Sequence, residues 1–125
     1  MGDGPGEKRP PEVPELFVRW FDFTNWLFDR TARFPKNMRH TLTNRVEVAA
    51  LEILLGVVEA RYDRENRAEK LSGVNMGLEK MRVLMRLCHA RGYLSNPQYE
   101  HACREIDTAG RMAGGWKRHR EAGRP

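Results

Sequence analysis

A chain of 125 residues, 40% hydrophobic and 31% charged, is long enough for one domain with a buried core and too apolar to be disordered throughout. Its net charge of +5 favours anionic partners. Cys88 and Cys103 lie outside any CxxC spacing and indicate neither a disulfide framework nor a zinc knuckle; no apolar run approaches the ~18 residues that cross a bilayer, so a cytoplasmic protein without membrane contact is expected.

In chain order, residues 1–11 are rich in Gly, Pro and charge and read as a disordered lead-in to a bundle expected over residues 12–117. A first helix is expected from about Val13 to Ala32, with Pro14 in its first turn, where a missing N–H is harmless. Pro35 separates it from a second helix over roughly Asn37 to Tyr62, and DRENR then makes a polar turn. A third helix begins at about Glu65 or Lys70 and runs to Arg91, where Gly92 suits the left-handed position that closes a helix. Ser95 and Gln98 form a capping-box pair ahead of a fourth helix that reaches about Trp116; residues 118–125 read as a basic disordered tail. Connections this short make successive helices antiparallel, which predicts an all-α, up-down-up-down four-helix bundle.

The helix faces hold more apolar surface than one such bundle buries. On the first helix Leu16, Trp20, Phe23 and Leu27 form one stripe, with Phe17, Phe21 and Phe28 as a second facet and Trp26 on the other flank, an arc of roughly 220°. On the third, Leu71, Val74, Leu78, Met81, Met85 and Cys88 make a heptad-like seam that Met76, Val83, Leu84 and Leu87 extend around the helix. The second is nearly continuous from Val46 to Val58. A thick monomeric core is one reading; the excess favours self-association, with Phe17, Phe21, Phe28, Val83 and Leu87 at the interface.

Charge is uneven too. The narrow polar gap of the third helix carries Arg82 and Arg86 on one face, a spacing that suits a phosphate backbone or, equally, a solvated face pairing Glu79 with Arg82. Arg30, Arg33, Lys36, Arg39 and Arg45 form a block without an acid, and Arg111, Lys117 and Arg118 begin a second near the C-terminus. Whether the two blocks share a pole is open. Arg33, Lys36, Arg39, Arg45, Arg82, Arg86, Arg111, Lys117 and Arg118 are therefore the candidate nucleic-acid contacts.

No Walker loop, nucleophile elbow or paired-carboxylate pocket is present in the sequence. Cys88, His89, His101 and Cys103 cannot converge on one ion, because neighbours on a helix point about 100° apart. Asp107 with Arg111, and Glu100 with Arg104, read as i,i+4 surface pairs. No catalytic residue, metal or cofactor is expected.

The string Leu94-Ser95, Gln98-Tyr99-Glu100-His101-Ala102, Ile106-Asp107, Gly110-Arg111-Met112 and Gly114-Gly115-Trp116 resembles a family of bacterial four-helix-bundle proteins. Phe34-Pro35-Lys36 and the helix with Leu78, Arg82, Met85 and Arg86 fit the same pattern. The family is that of the accessory variability determinants (Avd) of diversity-generating retroelements, together with relatives encoded in intervening sequences of ribosomal RNA genes. The resemblance covers roughly residues 15–117, and Ala113 and Cys103 depart from the usual pattern. It implies a pentameric barrel with a basic surface. It also implies a non-catalytic accessory protein that binds a reverse transcriptase and its template RNA, with DNA a further partner. For the ribosomal relatives the implication is an oligomeric protein-interaction module with no nucleic-acid role.

Overall fold

A computed structural model describes residues 12–122, with side chains from Glu15 to His119. Four helices account for nearly all of this span: α1 (Glu12–Thr31), α2 (Asn44–Tyr62), α3 (Arg67–Ala90) and α4 (Asn96–Ala122). Among the described residues there is no strand. The helices form a square in which α1 packs on α2, α2 on α3, α3 on α4 and α4 back on α1. Every pair is antiparallel. Down α1, Arg19 meets Glu105 and Trp26 meets the earlier His101 of α4. Down α3, Ser72 receives a hydrogen bond from Lys117, and Arg82 pairs with the earlier Asp107.

Local chemistry sets the helix ends. Ser95 and Gln98 form the expected reciprocal cap: the Ser95 N–H donates to Gln98 Oε1 at 2.9 Å, and the Gln98 N–H donates to Ser95 Oγ at 3.2 Å. Gly92 adopts φ +78°, the left-handed conformation that ends α3. At the end of α2, Arg67 does what no pattern in the sequence announced. Its guanidinium donates to the carbonyls of Ala60 (2.7 Å) and Arg61 (2.8 Å), two acceptors a helix terminus otherwise leaves unpaired. The same guanidinium lies over the ring of the buried Trp116, 5.3 Å from its centroid, and so ties α4 to the α2–α3 turn.

Two boundaries differ from expectation. The second helix does not begin at Asn37. A 3-10 turn (Lys36–Met38) and a π turn (Arg39–Thr43) precede α2. The run His40-Thr41-Leu42-Thr43-Asn44 explains the irregular entry, because β-branched and short polar side chains are poor helix formers that compete for nearby backbone groups. Thr41 Oγ1 indeed donates to the Met38 carbonyl at 3.3 Å. The fourth helix does not stop near Trp116; it continues to Ala122, so the basic stretch read as a tail from residue 118 starts inside α4. Its Lys, Arg, Glu and Ala residues are good helix formers. The lead-in expected over residues 1–11, and residues 123–125, lie outside the described residues.

Each helix turns one stripe to the core. Leu16, Trp20, Phe23 and Leu27 of α1 face Val46, Ala50, Ile53 and Val57 of α2, the α3 seam from Leu71 to Cys88, and Ala102, Ile106, Ala109, Ala113 and Trp116 of α4. Small residues stand where large ones need room. With only a methyl at Ala50, the Trp20 indole reaches the Ala50 carbonyl and donates to it at 3.0 Å. Glycines likewise let α2 and α3 approach closely. A Cβ on Gly77 would sit 2.9 Å from Ile53 Cγ1, and one on Gly56 would sit 3.1 Å from Val74 Cγ2.

Circular dichroism is expected to show a predominantly helical protein. Alanine at Trp20 or Met85 should cost about 2–5 kcal/mol in denaturant unfolding at fixed protein concentration. Glycine replacements discriminate more finely. Gly73, mid-helix with open space around its missing Cβ, should gain about 0.5–1 kcal/mol on mutation to Ala. Gly77→Ala should lose stability despite the same gain in helix propensity, because the buried Ile53 must move.

Candidate nucleic-acid and self-association surfaces

The nine cations singled out in the sequence separate into two groups, one at the α1–α2 pole and one along the α3/α4 groove, with Arg86 apart from both. Arg33, Lys36, Arg39 and Arg45 are all exposed in the α1–α2 connection and the start of α2, at one pole. No ion pair is recorded for any of the four among the described residues. Arg30, next to this group, is half-buried with its guanidinium over the Trp26 ring at 5.8 Å.

The second group lines a groove of about 690 Å³ between α3 and α4, where Arg82, Arg111, Lys117 and Arg118 come together. Ser72, Asn75, Glu79 and Asp107 complete its polar lining. α4 runs opposite to α3, which places residues 111–118 beside residues 72–79 and away from the basic pole. The two blocks therefore do not merge into one patch.

Arg82 is not a free cation; of the two readings its spacing with Arg86 allowed, the pairing with Glu79 is present. It pairs with Asp107 across the groove and with Glu79 one turn back on its own helix, at 3.4 Å. The hydrogen bond to Asp107 is the first cause holding its pKa above the ordinary arginine value, against a smaller desolvation. Asp107 is thereby taken from Arg111, whose guanidinium donates to Thr108 Oγ1 at 3.3 Å instead. Lys117 donates to Ser72 Oγ at 2.9 Å. Arg86 stays exposed and lies near Tyr99. The Tyr99 hydroxyl is hydrogen-bonded to Cys103, which raises its pKa, and Arg86 acts in the opposite direction.

The apolar excess is on the outside. Phe17 and Phe21 are exposed and their rings lie 5.8 Å apart, while Phe28, expected with them, is half-buried. This facet belongs to the α2 side of α1, because Arg19 and Trp26 occupy the opposite flank against α4. The side of α2 that faces α1, where Glu47 accepts from the Thr31 hydroxyl, continues outward into Leu51 and Leu55. Phe17, Phe21, Val48, Leu51 and Leu55 thus make one patch across α1 and α2. On α3, Met76 (57% exposed), Val83 (67%) and Leu87 (46%) form a second stripe directly opposite the core seam. The outer face of α4 is polar, with Glu100, Arg104, Asp107 and Arg111 exposed.

A family model described as bAvd-like matches residues 17–120, from the first exposed phenylalanine of α1 almost to the end of α4. The chain belongs to the bAvd-like family. No curated protein and no solved structure matches it.

Reading this bAvd-like chain one helix at a time passed over the α2 part of the first patch. The signal was present: Val48, Leu51 and Leu55 repeat at helical spacing inside the continuous apolar run, and Tyr62 follows two turns on. The Arg82–Asp107 pair gave no such signal, since a helical wheel shows only partners within one helix. The four sulfur and imidazole groups turn to different neighbours. Cys88 is buried in the core, His89 Nε2 lies 2.6 Å from Asn96 Oδ1, and His101 packs on Trp26 with ring centroids 4.6 Å apart. Among the described residues no three His, Cys, Asp or Glu side chains are placed to hold a metal, and no helix is long and apolar enough to cross a membrane.

Burial pushes the Cys88 thiol up to about 11, whereas Cys103 is only half-buried. An aromatic disulfide reagent at pH 8 should therefore titrate one thiol quickly in the folded protein and the second only on unfolding. Cys103→Ser should abolish the fast phase. Because the thiol is raised in the folded state, its contribution to stability is intact below the unfolded thiol value of about 8.5 and is lost as pH rises from there towards 11.

Proposed function

We propose that this protein is a non-catalytic accessory factor of a diversity-generating retroelement. It self-associates into a ring and presents cationic surfaces to the template RNA while binding the reverse transcriptase. Membership of the bAvd-like family over residues 17–120 carries the reading. Two features of the surface support it.

The first is the pair of unlike apolar surfaces on separate sides of the bundle. Packing the α1/α2 patch of one copy against the α3 stripe of the next makes a head-to-tail contact, and repeated rotation by a fixed angle closes such contacts into a ring. A pentamer is the ring the family resemblance favours. The second is the set of cations without an ion pair among the described residues, in the α1–α2 connection and in the α3/α4 groove, repeated in every subunit. Individually weak phosphate contacts then gain from multivalency. The polar outer face of α4 remains free in this arrangement. Arg82 held by two carboxylates is the observation that favours the alternative, an oligomeric protein-interaction module without nucleic acid, like the relatives encoded in ribosomal RNA intervening sequences.

Light scattering at micromolar concentration should return a mass several times 14.5 kDa. Phe21→Glu or Leu51→Glu should lower that mass while leaving helicity in place. The tagged protein drawn from its host should bring down a reverse transcriptase and RNA. A monomeric wild type contradicts the ring, and a complex with protein but no RNA makes the interaction module the better account.

A further inference from the structure

We propose that the groove between α3 and α4 seats one single-stranded phosphodiester backbone, and that Asp107 competes with it for Arg82. The inference rests on the RNA-binding reading above and deepens it, choosing the groove over the basic pole and naming the groove's own inhibitor.

The geometry of the lining points to one strand. Ser72 and Arg82 bound the groove on α3, eleven residues whose ten rises span about 15 Å of helix. Along it the cations fall in steps: Arg82 at one end, Arg111 in the middle, Lys117 and Arg118 opposite Ser72 at the other. Such spacing follows successive phosphates of an extended strand. Packed helices have axes only about 8–10 Å apart, so the furrow between them admits a single backbone and leaves a duplex on its rim. No aromatic residue lines the groove, so bases have nothing to stack on and the strand is held without regard to sequence. Asn75 adds an uncharged amide, and Ser72 a hydroxyl already hydrogen-bonded to Lys117.

Both acids of the groove are committed to one cation. Asp107 and Glu79 converge on Arg82, while among the described residues neither Arg111 nor Arg118 pairs with a carboxylate. The groove therefore has an electropositive end at Lys117 and Arg118, with Arg111 midway, and a self-neutralised end at Arg82. A strand that enters at the open end meets Asp107 as it extends. It must displace that carboxylate to gain Arg82, or stop short. The latch is exposed to solvent, with side-chain exposures of 39% for Arg82 and 50% for Asp107, so exchange of one oxyanion for another needs no repacking of the core.

The test measures fluorescence anisotropy of a labelled 20-nucleotide oligouridylate and of a blunt RNA duplex of equal length across a salt series. Wild type is compared with Arg111→Ala/Arg118→Ala, Asp107→Asn, Glu79→Gln and the pole variant Arg33→Ala/Arg39→Ala, each checked for helicity and mass. The groove variant should bind the oligouridylate about tenfold more weakly, with a log–log salt slope reduced by about 1.4 for two lost phosphate contacts. Asp107→Asn should bind several-fold more tightly, with a slope steeper by about 0.7, and Glu79→Gln should shift the same way. The pole variant should match wild type, and the duplex should bind more weakly than the single strand. Wild type that retains neither RNA at low salt overturns the RNA-binding reading and this inference with it. Binding lost in the pole variant but kept in the groove variant overturns the groove and leaves that reading standing. Asp107→Asn binding no tighter than wild type overturns the latch.

Discussion

In a square of four helices each helix touches two neighbours and has a single inward arc to bury. Everything else about this molecule depends on that limit. The α1 arc is filled by Leu16, Trp20, Phe23 and Leu27, so Phe17 and Phe21 have nowhere inside to go. The α3 arc is filled from Leu71 to Cys88, and Val83 and Leu87 point outward for the same reason. The helices can pack so closely because glycine and alanine stand at the contacts: Gly56 and Gly77 against α3 and α2, Ala50 beneath Trp20, and alanines along the inner face of α4. A larger core would have required wider helix spacing, and the apolar surplus would then have been absorbed. Instead it becomes surface.

The surplus is also unequally shared, and this gives the bundle sides. α1, α2 and α3 carry exposed apolar residues, while α4 presents charge. α4 is held by polar links to both neighbours: Arg19 with Glu105 on one side, Arg82 with Asp107 and Lys117 with Ser72 on the other. Exposed ion pairs of this kind contribute little to stability. Their effect is on which charges remain available, since each cation tied to a carboxylate is one fewer for an external anion.

Much of the fold was legible in the sequence because the signals that set it are local. The Ser95–Gln98 cap, the Gly92 closure and the buried stripes all follow from residues within a few positions of one another. The irregular entry to α2 and the continuation of α4 were not, for the opposite reasons. Threonines interrupt a stretch whose apolar pattern reads as helical, and good helix formers continue a stretch whose charge reads as disordered. The candidate surfaces were legible as a list of residues and not as an arrangement. Periodicity found Phe17, Phe21, Val83 and Leu87, and charge found the two basic blocks. Neither could say that α4, running opposite to α3, would carry Arg111, Lys117 and Arg118 away from Arg33 and Arg39 and into company with Arg82.

Under the proposed RNA-binding role, that separation would let one small chain hold a large polyanion without binding it indiscriminately. A merged basic patch would attract any nucleic acid in proportion to its charge. In the proposed role, two separate cationic regions, one confined to a furrow and partly neutralised by its own acids, would respond to the shape and reach of the ligand as well as its charge. Arg82 is the point where the two demands meet. It carries the positive charge that the family resemblance leads one to expect on α3, yet it spends that charge internally on Asp107 and Glu79. Anion affinity at that position is therefore a difference between two carboxylates already in place and an incoming phosphate. A small difference of this kind is easily shifted by one substitution or by a neighbouring subunit, whereas a free arginine would be fully committed from the start.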